Sequence, residues 1–223
     1  MKVLIACEES QAVCKAFREL GHEAYSCDIL SCSGGHPEWH ILCDVKHVLN
    51  GHGLFRLENG DCVISTKCWD LIIAHPPCTY LSLAGNRWFD EEKYGDKARQ
   101  RKRDRESAVE FFMLFVNAPC EKIAIENPYG TISTAYRKPD QTVQPYHFGH
   151  DSRKPTCLWL KGLPYLKPTN IVEPKIIKLP TGRVDSAWHI ETWNLPKAQR
   201  SIQRSKTFPG IARAMAEQWG GVA

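Results

Sequence analysis

The chain is 223 residues long, with a formal net charge of +4, 43% hydrophobic residues and 24% charged ones. That balance suits a soluble protein of one sizeable domain, and the mild positive charge permits a nucleic-acid partner without demanding one. No apolar run is long enough to cross a bilayer, and Glu8 and Glu9 follow Met1-Lys2-Val3-Leu4-Ile5-Ala6 too soon for a signal peptide, so neither a membrane-spanning nor a secreted protein is expected.

Val3–Ala6 reads as a first buried strand. Ser10–Leu20 reads as a helix, because Ala12, Val13, Ala16, Phe17 and Leu20 recur at helical spacing and Gly21 stands where a helix ends. Glu23–Ser26 is a second strand ending near Asp28. A strand–helix–strand opening followed by an acid is the layout of a nucleotide- or cofactor-binding unit, in which the acid can bond the ribose hydroxyls of an adenosine-containing cofactor. The glycine-rich loop that usually accompanies it is replaced here by Cys7-Glu8-Glu9-Ser10.

Residues 31–39 form a polar loop, His40–Cys43 a short third strand before Asp44, and Asn59-Gly60 a turn. Leu71–Ala74 is a short apolar run that stops at Pro76 and Pro77. Pro76 biases His75 towards an extended conformation, and neither proline can donate a ladder hydrogen bond, so Cys78 is presented from a stiff turn at a strand end. Ligands bind at such ends in α/β sheets, which makes this thiol a candidate nucleophile.

The segment Leu83–Asp96, mixed in charge, is expected to be a mobile loop or lid. Lys97–Val116 reads as a helix whose charged start carries Arg99, Arg101, Lys102, Arg103 and Arg105; beside the site, phosphate contact competes with a plain solvated face. Ile123–Ile125 is a further buried strand, and it delivers Glu126-Asn127-Pro128. Thr142–Phe148 and Thr156–Leu160 read as a late antiparallel hairpin, and residues 164–196 as irregular surface structure. A closing helix begins near Pro209, with Ile211, Ala212, Met215, Ala216 and Trp219 on one apolar face.

Ten cysteines without a secretion signal read as reduced thiols in a cytoplasmic protein. Cys27, Cys32, His36, His40, Cys43 and His47 are the best metal-site candidates, but the chain has no paired CxxC knuckles, so packing cysteines are favoured and no metal is expected.

A nucleophilic thiol, a facing carboxyl group and a cofactor pocket on one sheet edge suit methylation of a pyrimidine at carbon 5. Thiolate addition at carbon 6 makes carbon 5 enamine-like, and a carboxyl group at ring nitrogen 3 stabilises the charge that develops. His75-Pro76-Pro77-Cys78-Thr79-Tyr80-Leu81-Ser82 resembles the nucleophile motif of the cytosine-5 DNA methyltransferase family, and Glu126-Asn127-Pro128 is similar to that family's Glu-Asn-Val motif. Leu4 through Asp28, then Asp44, resemble its cofactor motifs. Arg153-Lys154 before Thr156 and Phe208-Pro209-Gly210 before the last helix match later motifs more loosely.

The resemblance implies a Rossmann-like α/β fold, mostly parallel with a late antiparallel hairpin, filling residues 1–223 as a single catalytic domain. It implies S-adenosylmethionine as cofactor, held by Ala6, Cys7, Glu8, Asp28, Asp44 and Pro76. It makes Cys78 the nucleophile and Glu126 the residue that holds the cytosine, with Asn127 positioning the turn and Arg153 orienting the base or Glu126. DNA, duplex with a flipped cytosine or single-stranded, would be the partner, contacted by Ser82, Arg87, Arg99, Arg101, Lys102 and Arg103. His75 could act on Cys78, though three residues across a strand turn can aim it elsewhere.

Three departures stand out: the missing glycines at Cys7-Glu8-Glu9, Pro128 in place of valine, and residues 161–207, a reduced, irregular substrate-facing insertion too short for the usual target-recognition domain. Specificity would then be short, relaxed or supplied by a protein partner, as in compact versions carried by phages, whose site of action would be the bacterial cytoplasm. Competing readings are an amino-methyltransferase, an enzyme modifying a free pyrimidine nucleotide, and a degenerate nucleic-acid-binding or anti-restriction protein.

Overall fold

Four apolar runs of the sequence become neighbouring strands of one sheet in the computed structural model, which describes residues 1–221. In chain order the elements are β1 (Lys2–Ala6), α1 (Ala12–Glu19), β2 (Glu23–Asp28), β3 (His40–Leu42), β4 (Gly53–Arg56), β5 (Cys62–Ser65), β6 (Leu71–Ala74), α2 (Glu91–Tyr94), α3 (Asp96–Val116), β7 (Ile123–Asn127), α4 (Ile132–Ala135), β8 (Gln141–Val143), β9 (Thr156–Lys161), β10 (Ile176–Lys178), β11 (Val184–Ser186), α5 (Ala187–Trp193), α6 (Lys197–Ser205) and α7 (Pro209–Trp219).

The main sheet has seven strands in the order β3-β2-β1-β6-β7-β9-β8. The first five of these run parallel, β9 runs antiparallel to β7, and β8 antiparallel to β9. This is a methyltransferase-like Rossmann arrangement, as the sequence led us to expect. The strand order reverses between β1 and β6, where Ala6 pairs with Ala74. Beyond such a reversal the connecting segments diverge and leave a crevice at the carboxyl ends of the strands.

Both sheet faces are covered, so the central strands are apolar throughout and their alternation is one of destination. Leu4, Ala6, Ile72 and Ala74 point into a cluster with Phe112 and Phe115 of α3 and with Trp159. Val3, Ile5, Leu71 and Ile73 point the other way, onto Phe17 of α1 and Met215 and Trp219 of α7. Each such fully buried large side chain contributes about 1.5–3 kcal/mol. Trp69, Trp159 and Trp219 keep their indole N–H groups satisfied by donating to the carbonyls of Val48, Arg137 and Pro164.

The structure differs from the sequence reading in four places. The first helix starts at Ala12, after Gln11 adopts a left-handed conformation with φ of 56°. Residues 83–96 contain a 3-10 segment, Leu83–Phe89, and α2, where a mobile loop was expected. Of Thr142–Phe148, only the start lies in β8; Pro145–His147 forms a 3-10 turn, because Pro145 cannot donate to a ladder. Residues 161–207 hold the β10–β11 hairpin, α5 and α6 instead of irregular structure. Asn59-Gly60 does turn a hairpin, the separate β4–β5 ribbon.

Candidate active site

Cys78 sits four residues past the end of β6. The amides of Leu81 and Ser82 both donate to its carbonyl at 3.1 Å, which closes a tight turn and leaves the residue exposed. The turn is pinned from the neighbouring strand end. Asn127, buried at the end of β7, donates its side-chain amide to the Pro76 carbonyl at 2.8 Å, and the Thr131 amide donates to Leu81 at 2.8 Å. Ser82 and Gly130 form a β-bridge, and a Cβ on Gly130 would lie 1.9 Å from the Leu81 carbonyl oxygen. Only glycine permits that approach.

The register Ala74↔Ile125 continues one step, so His75 and Glu126 leave adjacent parallel strands at the same level and on the same face. His75 Nδ1 lies 2.9 Å from Glu126 Oε2, with the two side chains 8% and 15% exposed. His75 is therefore aimed at Glu126, not at Cys78. Burial acts to raise the Glu126 pKa, but the His75 hydrogen bond and the charge of Lys154 outweigh it and hold the carboxyl below its ordinary value. Burial acts to lower His75, yet its bond to Glu126, with Glu126 and Glu8 as nearby charges, raises it overall. The packing around the Cys78 thiol, followed by the charge of Glu126, pushes that thiol up, with Lys154 acting the other way.

Lys154 thus acts electrostatically on Cys78, His75 and Glu126, a place the sequence reading had given to Arg153. Arg153 is exposed, and its backbone amide donates to Ser186 Oγ at 3.2 Å. The two neighbours differ because the chain approaching β9 is extended and alternates sides, while Lys154 is further tethered by a bond from its Nζ to the Lys206 carbonyl at 3.3 Å. A basic residue at one parity of the Arg153-Lys154 pair was the signal; which of the two faced the site was not.

The other side of the crevice is formed by the ends of β1, β2 and β3. Cys7 stands immediately after β1 with φ of 59°, the left-handed region that glycine usually supplies. Burial, then Asp28 and Asp44, drive the Cys7 thiol far up, so these three residues share one edge. Asp28 is half-buried with a raised pKa, burial outweighing the bond it accepts from the Leu30 amide at 3.0 Å. Asp44 caps a 3-10 turn by accepting from the Lys46 amide. Ala6 and Pro76, the remaining expected cofactor contacts, are buried on either side of the switch point.

Glu8 has a task that the sequence did not reveal. It is buried, and its two carboxylate oxygens accept from the amides of Val13 at 2.7 Å and Cys14 at 3.1 Å, so it caps the N-terminus of α1 from within the chain. Such a cap stabilises by about 1 kcal/mol. It also occupies the donors that a Rossmann unit normally offers to a phosphate. Burial, opposed by His75 and by these two amides, leaves the Glu8 carboxyl with a raised pKa. With Glu9, Asp28 and Asp44 beside it, this end suits a ligand bearing positive charge and opposes one bearing pyrophosphate.

The expected nucleic-acid contacts divide into two groups. Arg101 donates to the Thr79 carbonyl at 3.1 Å and Arg105 to that of Tyr80 at 2.9 Å, so α3 holds the turn that follows Cys78. Arg99 and Lys102 pair with Glu91 of α2, and Arg103 bonds Gln100, so these cations are engaged within the chain. Arg87 is exposed and lies over Trp88. Ser82 helps line a cleft of about 740 Å³ that opens next to Cys78, with Tyr80, Trp88, Tyr94, Lys97 and Arg101 around it.

Two of the metal-site candidates are engaged elsewhere. His40 uses both ring nitrogens, on Ser26 Oγ and the Leu30 carbonyl, and His36 stacks on Trp39 and pairs with Glu38. No group of three or more candidate ligands gathers among the described residues, and no helix among them is long and apolar enough to cross a membrane.

No protein-family model matches the chain, and no curated protein matches it in sequence. Among solved structures it is similar to a chain described as a candidate DNA modification methyltransferase encoded within a prophage (E. coli), at 14% identity and a TM-score of 0.41. The match covers 77% of this chain and 51% of that one, so this chain spans about half that protein's length. A likeness at this level carries no argument about chemistry; strand order and site geometry do.

Proposed function

We propose that this chain is an S-adenosylmethionine-dependent methyltransferase acting on carbon 5 of cytosine in DNA. The observation that carries the reading is the convergence of Cys78 and Glu126 on adjacent strand ends, tied together by the Asn127–Pro76 bond beside the topological switch point. The acidic β1–β3 edge suits the cofactor, because S-adenosylmethionine brings a sulfonium and an ammonium group and no phosphate. Bound there with Asp28 near its ribose, it would supply an electrophilic methyl group.

In this mechanism the Cys78 thiolate adds to ring carbon 6, and the electron pair displaced towards the ring is stabilised by hydrogen bonding from Glu126 at nitrogen 3. Carbon 5, made nucleophilic by that addition, would accept the methyl group as its bond to the cofactor sulfur breaks, then lose its own proton to water as the Cys78–carbon 6 bond breaks. The Glu126 charge opposes thiolate formation in the free protein. A base that takes up that charge through a hydrogen bond removes the opposition, so arrival of the target and activation of the thiol are coupled. A base inside a duplex is out of reach of this turn and has to be flipped out.

An assay of labelled S-adenosylmethionine with duplex DNA, single-stranded DNA or deoxycytidine monophosphate tests the reading through the appearance of 5-methylcytosine. Product from the free nucleotide alone would move the substrate class from DNA to nucleotides. No product from any substrate, together with no covalent adduct on 5-fluorocytosine DNA, would overturn it.

A further inference from the structure

We propose that His75 and Glu126 hold one exchangeable proton between them, and that His75 is thereby the positioning residue and proton reserve of the carboxyl group that faces the target pyrimidine. The inference deepens the reading above and rests on it. It begins from a contact that the methyl-transfer chemistry does not itself require: a histidine 92% buried, placed by strand register on a carboxylate of the next strand at 2.9 Å.

The groups around His75 come from three directions. Glu126 faces it from β7, Glu8 from the turn between β1 and α1, and Lys154 from the approach to β9, the last opposing the other two. Both oxygens of Glu8 are taken by α1 amides, so it offers charge and no free hydrogen-bonding arm. The second ring nitrogen, Nε2, is buried and has no partner among the described residues. Leaving that atom unpaired carries a cost in a buried site. With hydrogens on both nitrogens the ring donates from Nδ1 to the carboxylate; with its hydrogen on Nε2 alone it accepts at Nδ1 from a protonated Glu126, so the 2.9 Å contact persists wherever the shared proton lies.

The proton accounting then closes. In the free protein the pair holds one proton beyond a carboxylate and a neutral imidazole, either on His75 beside ionised Glu126 or on Glu126 beside neutral His75. When Cys78 adds to carbon 6, nitrogen 3 gains basicity and takes the proton from Glu126, the His75 Nδ1–H crossing to Oε2 first where the pair held it on the ring. A carboxylate is left beside a neutral imidazole with its hydrogen on Nε2. When the Cys78–carbon 6 bond breaks, nitrogen 3 returns the proton and the pair ends as it began. The carbon 5 proton is a separate one and leaves to water. Held below its ordinary pKa by His75 and Lys154, Glu126 has little proton of its own to offer near neutrality; the proton shared with the histidine behind it is the one available.

Two measurements test this. In the first, histidine-selective NMR titration of the unaltered chain, with His75→Gln to assign the signal, should show His75 titrating above the ordinary value of 6.5, and Glu126→Gln should lower it. A His75 that titrates at or below 6.5, or ignores Glu126→Gln, overturns the shared proton. In the second, adduct formation on 5-fluorocytosine DNA should decline as pH rises through the His75 titration. His75→Gln, which can still donate to Glu126, should lose that limb and slow the step about 100-fold. A variant that keeps the wild-type rate and pH profile assigns His75 to structure alone and sinks the proposal. Absence of any adduct with the unaltered chain, while His75 titrates as expected, would instead overturn the pyrimidine reading and leave the pair intact.

Discussion

The two sides of the switch-point crevice are built on opposite electrostatic plans. On the β1–β3 side, Glu8, Glu9, Asp28 and Asp44 gather with little compensation; the Lys46 Nζ–Asp44 contact is 3.8 Å long. On the β6–β7 side, the single carboxylate Glu126 is answered by His75 and Lys154, and the helix beyond it, α3, is rich in arginine and lysine. Under the proposed function, one sheet edge serves two ligands of opposite sign, a cationic cofactor at the β1–β3 side and a polyanion at the β6–β7 side.

The sharpest way to break the comparison is to remove the group that works on one side only. Cys78→Ser is expected to reduce methyl transfer by roughly 10⁴-fold or more, the scale seen when a covalent nucleophile is lost, while calorimetry shows S-adenosylmethionine binding unchanged. An active serine variant, or one that no longer binds the cofactor, would show that the two sides are not separable.

Next in size is the hinge between them. Gly130→Ala must displace the Leu81 carbonyl that its Cβ would meet at 1.9 Å, so urea unfolding should register a loss of about 1–3 kcal/mol. Because the same strain moves the Cys78 turn away from Glu126, turnover should fall further than stability alone accounts for.

The sheet was legible in the sequence because its strands are short apolar runs with clear stops, and the site because those stops carry chemistry: Pro76-Pro77-Cys78 and Glu126-Asn127. The His75–Glu126 bond was not legible. It joins residues 51 positions apart, and a slip of one residue in strand register would turn His75 to the other face. Glu8 escaped for a similar reason: in the sequence it only replaces a glycine, and its capping role depends on the unusual backbone at Cys7 and Gln11. Residues 161–207 looked irregular because α6 buries no residue and β10 is exposed, so neither shows the apolar periodicity by which elements are found. The charge run in α3 was plain, but not that Glu91 would occupy Arg99 and Lys102.

That occupation gives a finer test on the basic side. Glu91→Gln frees Lys102 and leaves Arg99 held by Asp96 alone, and the plot of log affinity for DNA against log salt should steepen by about 1. An unchanged slope would mean that this end of α3 faces away from the phosphates. At the strand ends of the same side, stability offers a matching pH test. Glu126 contributes above its ordinary 4.5 and loses its contribution as pH falls through its lowered folded value. His75 contributes below its ordinary 6.5 and loses its contribution as pH rises through its raised one. The stability gap between the unaltered chain and His75→Gln should therefore be flat and widest between pH 4.5 and 6.5.

The smallest expected effect is at Cys7→Gly. Relief of the left-handed strain is partly cancelled by the freer unfolded chain, so a gain of up to about 1 kcal/mol is expected in thermal or urea unfolding. A loss would mean that the Cys7 side chain contributes more than its backbone costs.

The self-capped helix has one last consequence, for turnover. A chain that binds its cofactor by phosphate grips donor and spent product alike, because the phosphate survives the reaction. Here Glu8 has closed that handle, and what remains is a rim of negative charge. Under the proposed function, a ligand that enters with a sulfonium and departs with a thioether loses that part of its attraction to the rim in the act of reacting and keeps only its ammonium group. Inhibition by the demethylated product should be weak for that reason, and the acids that replaced the glycines would set how fast the site clears.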